Sequence, residues 1–118
     1  MQAEIKYLHS PDIFDLEKFS PETPDCFGFL LQIMAGPVNN PGCESFDITV
    51  CTPLWLIQNN KPADILFCQH YLIVFEYSFA NIQQKLNKYI SVLNGNTWKD
   101  LALQIGRIGK WEFEDYVE

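Results

Sequence analysis

"CFGFLLQIMAGPVNNPGCESFDITVCT", residues 26–52, is the stretch on which the fold turns. Phe27, Phe29, Leu31 and Ile33 recur at every second position. A two-residue repeat belongs to a strand, not to a helix. Leu30 and Met34 join Gln32 on the alternate positions, which predicts a strand largely buried on both faces. The pattern breaks at residues 37–44, rich in the Pro, Asn and Gly that set or tolerate turn dihedrals. It resumes with Phe46, Ile48 and Val50 alternating with Asp47, Thr49 and Cys51. Two period-2 runs around a turn-forming stretch predict an antiparallel hairpin with a long loop.

Toward the N-terminus, Ala3, Ile5 and Tyr7 alternate with Gln2, Glu4 and Lys6, so residues 2–8 read as a half-buried strand. The segment between, residues 9–26, carries three prolines and five acids without a clean period. It is expected to be a surface connection with a short turn around residues 15–19.

Toward the C-terminus, Pro53 suits the first turn of a short helix, because its missing N–H has no intrahelical partner there. Asn59, Asn60 and Pro62 stop that helix. "LFCQHYLIVFEY", residues 66–77, is the most apolar segment, with Tyr71, Ile73 and Phe75 on one side and Leu72 and Val74 on the other. It predicts a central strand covered on both faces. From Phe79 the period changes to three and four: Phe79, Ile82, Leu86, Tyr89, Ile90 and Leu93 form one apolar helical stripe. Ser78 is the expected N-cap, and Asn94 with Gly95 the expected stop. A second helix is expected near 97–107, where Thr97 and Asp100 resemble a capping box and Trp98, Leu101, Ala102 and Ile105 share a face; Gly109 would end it. The closing residues 110–116 return to period 2, an edge strand with Trp111 and Phe113 inward and Glu112 and Glu114 in water.

These elements make an α+β fold: one domain over residues 1–118, with an antiparallel sheet of about four to five strands and two helices packed on one face. Its 118 residues suffice for one sizeable core, and 47% apolar against 19% charged residues argue against a disordered chain. Fifteen acids against eight bases leave a formal charge of -7, which repels phosphate and attracts cations or basic proteins. Nucleic acid is therefore not expected as a ligand. No apolar run reaches the length of a signal peptide or a membrane span, so a cytoplasmic protein is expected, with no membrane partner. In that reducing compartment Cys26, Cys43, Cys51 and Cys68 are expected as free thiols.

Candidate chemistry is sparse. Glu112 and Glu114 at i, i+2 have the spacing of a general acid/base pair, but on an exposed strand face they read more simply as solvated carboxylates. Cys68 and His70 have the residue types of a nucleophile and base, yet no orienting acid or oxyanion donor accompanies them. A buried thiol beside a satisfied histidine is the plainer reading. No C-x-x-C pair or H-x-x-x-H spacing occurs, so neither metal nor cofactor is expected. Trp55 and Trp98 lie on apolar helical faces and read as core, whereas Trp111, beside acids, has the character of an interface anchor.

Taken together, "FGFLLQIMAGP" running into "ESFDITVCTPLWL", then "HYLIVFEYSFANI" and "WKDLALQIGRIGKWEFEDY", with "HSPD" near the start, resemble the immunity protein 8 family of bacterial polymorphic and contact-dependent toxin systems. The resemblance spans nearly the whole chain. It implies an α+β immunity protein that binds the C-terminal domain of a cognate toxin, and it implies no catalysis. The resemblance implies a more acidic turn before "ESFDITVCTP" and a lysine where Leu54 stands, whereas the turn here is "PVNNPGC"; if that turn touches the toxin, a partner or binding mode different from the relatives' is expected. Many such toxins are nucleases with basic substrate-binding surfaces, which an acidic inhibitor complements. The expected partner-binding residues are Glu112, Glu114, Asp115 and Trp111, together with Asp12, Asp15 and Glu17. The rival reading is a non-catalytic structural or regulatory subunit that binds a housekeeping protein or itself, with a small hydrolase third.

Overall fold

The computed structural model describes residues 1–114. In chain order the elements are β1 (Ala3–His9), β2 (Gly28–Pro37), β3 (Glu44–Cys51), α1 (Pro53–Gln58), β4 (Tyr71–Ile73), α2 (Phe79–Ile90), α3 (Trp98–Ile105) and β5 (Lys110–Trp111). They form the expected α+β architecture, an open five-stranded sheet in the order β1-β2-β3-β4, with β5 paired to the other half of β3. β1, β2, β3 and β5 pair antiparallel, but β3 and β4 run parallel. Between those two strands the chain passes through α1 and a long loop, and parallel pairing needs a crossover of that length.

The β2–β3 hairpin sets the register of the rest, from Gly28 opposite Cys51 to Ala35 opposite Glu44. Its loop closes so tightly that a Cβ on Gly36 would lie 2.0 Å from the Gly42 carbonyl oxygen, and Asn39 takes a left-handed φ of 70°. Phe29, Leu31, Ile33 and Ala35 of β2 and Phe46, Ile48 and Val50 of β3 are buried on one face. Against them pack Ile82, Leu86 and Ile90 of α2 and Leu101, Ala102 and Ile105 of α3, as the apolar stripes require. Each of these side chains larger than alanine contributes roughly 1.5–3 kcal/mol when taken from water, so this single layer dominates stability.

Local signals fix the helix starts. Thr52, Ser78 and Thr97 each accept a hydrogen bond from a backbone N–H three residues on, at Trp55, Asn81 and Asp100. Asp100 reaches back to the Asn96 N–H instead of that of Thr97. The helix ends differ from expectation: α2 stops at Ile90, four residues before Asn94, and α3 at Ile105, where Gly106 turns the chain.

Four sequence expectations are corrected. A bulge between Ile5 and Tyr7 inserts Lys6, so beyond it Leu8 faces the core and Tyr7 faces solvent. The second face of β2 is only half covered, because α2 and α3 lie on the other side, while Trp55 of α1 lies over Gly28. "LFCQHYLIVFEY" is not a central strand. It pairs over three residues at the sheet's edge, Phe67 is wholly exposed and Phe75 largely so, because Cys68 (φ 49°) and His70 (φ 65°) turn the chain left-handed before it can extend. The closing strand is two residues long. A turn in which the Glu114 N–H donates to the Trp111 carbonyl at 3.0 Å ends it, so Phe113 does not follow Trp111 inward.

Candidate functional site

The acids expected to meet a partner fall into two groups on opposite sides of the β2–β3 pair. On one side β1 stops pairing at Gln32, leaving the Leu30 N–H without a strand partner, and the Asp12 carboxylate accepts it at 2.9 Å. On the other, β5 ends at Trp111 and the Glu112 carboxylate accepts the Ser45 N–H at 2.9 Å. Each carboxylate thus stands where a further strand would have placed a carbonyl. Asp15 accepts from the N–H groups of Glu17 and Lys18, at 3.0 and 3.2 Å, and so holds the turn that follows it. Glu17 and Glu114 are exposed, and Asp115 lies outside the described residues.

The segment carrying Asp12, Asp15 and Glu17 is firmly anchored. Leu16 is buried, its carbonyl accepts a hydrogen bond from the Tyr77 hydroxyl, and Phe19 meets Phe27, Phe29 and Tyr77 edge-on with centroids 4.9–6.4 Å apart. Burial, with the Asp15 charge adding to it, pushes the Tyr77 phenol upward, so its proton stays on that bond. From this anchored loop Phe14 projects fully into solvent, at 107% exposure, between Asp12 and Asp15. A recess of about 350 Å³ beside it is lined by His9, Phe14, Asp15, Glu17 and Phe79 among others. An aromatic ring amid carboxylates on a rigid loop suits a cationic, partly apolar surface.

Trp111 stacks on Phe46 at 6.5 Å and is half-buried, so its ring belongs to the end of the core; its indole N–H is buried with no acceptor among the described residues. The catalytic alternatives are not assembled. Glu112 is engaged by Ser45, Cys68 is exposed, correcting the expectation of a buried thiol, and the His70 Nε2 lies 2.7 Å from the Gly106 carbonyl. The four cysteines are free thiols. Among the described residues no group of three His, Cys, Asp or Glu gathers to hold a metal ion, and no helix is long and apolar enough to cross a membrane.

Sequence reasoning missed two surfaces. Phe14 sat in a segment without periodicity, and only the five surrounding acids marked it. Leu66 and Phe67 read as part of a central strand because composition alone does not reveal a left-handed turn at Cys68, and Ile65 beside them falls outside that expectation.

The fold and this surface define a compact α+β domain that presents aromatic and acidic groups to solvent. The Immunity protein 8 family model matches residues 3–116, nearly the whole chain, and the chain belongs to that family. No curated protein and no solved structure matches it.

Proposed function

We propose that this protein neutralises the toxin domain encoded beside it by binding and occluding it, and that the toxin is a nuclease acted on in the cytoplasm. The family match over residues 3–116 carries the reading. The charge of -7 and the anchored loop with Asp12, Asp15, Glu17 and Phe14 support a basic partner surface such as a nuclease needs for its own substrate. The protein acts by shape and charge and not by turnover, since Glu112, Glu114, Cys68 and His70 form no nucleophile, base and orienting group. Trp111, Glu112 and Glu114, on the far side of the β2–β3 pair, form a second acidic flank of the interface.

Co-expression with the neighbouring toxin domain tests this. The two are expected to co-purify, and the protein is expected to rescue growth of cells making the toxin. Failure to co-purify together with failure to rescue rejects the reading, and a metabolic operon around the gene favours the regulatory-subunit alternative.

A further inference from the structure

The geometry points to a second copy of this chain as the occupant of the β4 edge, in a twofold dimer centred on Leu72. The hydrogen bonds of β4 establish which groups are free. The His70 carbonyl accepts from the Thr49 N–H at 2.9 Å and the Val74 N–H donates to the Cys51 carbonyl at 2.9 Å, so these groups face β3. In a parallel pair the backbone direction alternates along the strand, which leaves both the N–H and the C=O of Tyr71 and Ile73 pointing away from β3. No described group pairs with them.

Edges are ordinarily blunted by being very short, by charged side chains, by proline, by a bulge or by a covering element. β4 is short, at three residues, but within it stands no charged side chain, proline or bulge. Residues 63–84 contain no Lys, Arg or Pro, and the side chains flanking the edge are apolar and exposed: Ile65 at 94%, Phe67 at 102% and Phe75 at 78%, with Leu66 and Ile73 partly so. Taking 150–250 Å² per aromatic, these side chains offer roughly 600–700 Å², close to the ~800 Å² per partner of a standard interface.

The occupant follows from self-complementarity. Pairing β4 antiparallel to its own copy about Leu72 sets Tyr71 against Ile73 of the partner subunit, and the four outward groups of each strand then satisfy one another. In the same arrangement the bend at Phe75 and Glu76, just beyond the C-terminal end of one strand, comes beside the N-terminal end of the other. That end borders a recess of about 200 Å³ lined by Cys68, His70, Tyr71, Lys85, Tyr89 and Arg107. Glu76 is thereby set on the side of Lys85 and Arg107 of the partner subunit, and an acid at one end with bases at the other is self-complementary about a twofold axis.

Sedimentation and light scattering of the full chain across a concentration series test this, with circular dichroism confirming that each variant folds. Wild type is expected to dimerise. Phe67→Ser/Phe75→Ser alters only exposed side chains and is expected to weaken dimerisation at least tenfold. Glu76→Arg and Arg107→Glu are each expected to weaken it, and mixing these two variants is expected to restore a heterodimer in which every cross-strand pair is again opposite in sign. A wild type that stays monomeric overturns the inference, as does a dimer indifferent to these changes. Slowed amide exchange at Tyr71 and Ile73 only on adding the neighbouring toxin domain overturns it too, and assigns the edge to the toxin.

Discussion

Glu112 and Ser45 are joined twice: the Ser45 N–H donates to the Glu112 carboxylate at 2.9 Å, and the Glu112 N–H donates to the Ser45 carbonyl at 3.1 Å. The side chain thereby continues the β3–β5 ladder for one step after the backbone has turned away. This carboxylate is a structural acceptor first and a surface charge second. Glu112→Ala is expected to lower stability by about 1 kcal/mol, the usual net value of such a bond. Glu112→Gln keeps a carbonyl acceptor and is expected to stay within about 0.5 kcal/mol of wild type. Urea unfolding midpoints check both, and equal losses for the two variants would refute the acceptor role.

Thr52 is a stronger case because it is fully buried. Its hydroxyl oxygen accepts from the N–H of Phe27 at 3.2 Å and of Trp55 at 3.4 Å, tying the start of β2 to the cap of α1. Thr52→Val preserves shape but strands a buried donor, and is expected to cost about 1–3 kcal/mol. Equilibrium unfolding is the measurement, and a loss below a few tenths of a kcal/mol would mean that water replaces the hydroxyl.

The parts of this fold legible in sequence were those whose periodicity a single packed face enforces. Phe29, Leu31 and Ile33 on β2 and Ile82, Leu86 and Ile90 on α2 announced themselves because one helical layer covers one sheet face. Features decided by backbone dihedrals or by edges stayed hidden. Nothing in the composition of residues 66–77 distinguishes a buried strand from an exposed loop leading into a three-residue edge. The bulge that turns Tyr7 outward likewise depends on one inserted residue, which a period-2 reading passes over. Acids could be counted but not located, so Asp12 and Glu112, grouped as one surface in sequence, stand on opposite flanks.

Cys51 gives a pH dependence. It is fully buried, and desolvation, with the neighbouring Cys68 adding to it, pushes its thiol up from an ordinary value of 9.0 to about 11. The folded state thus holds the proton more tightly than the unfolded chain. Its contribution is fully present below pH 9 and is lost as pH rises from 9 to about 11. The loss is on the order of 2 kcal/mol. In Cys51→Ala this component is expected to vanish, so the stability difference between wild type and variant should change across that window. A constant difference from pH 8 to 11 would show that Cys51 ionises as easily folded as unfolded.

The proposed toxin interface separates into charge and anchor, and kinetics distinguishes them. Glu17 and Glu114 are exposed, and their carboxylates make no hydrogen bond among the described residues, so Glu17→Gln/Glu114→Gln alters the field without disturbing the fold. Rim charges act over a Debye length of about 10 Å at 0.1 M salt, so this variant is expected to associate more slowly with the toxin domain at low salt and at nearly the wild-type rate at high salt. Phe14 is different, because a wholly exposed ring on an anchored loop contributes by being buried in the complex. Phe14→Ala is expected to leave association nearly unchanged and to speed dissociation about tenfold or more, the consequence of losing at least ~1.4 kcal/mol at the contact. Stopped-flow association and surface-based dissociation measurements resolve the two. Wild-type rates for both variants at both salts would move the interface away from this loop, whereas a salt-independent slowing in Glu17→Gln/Glu114→Gln would mean that these carboxylates touch the toxin directly.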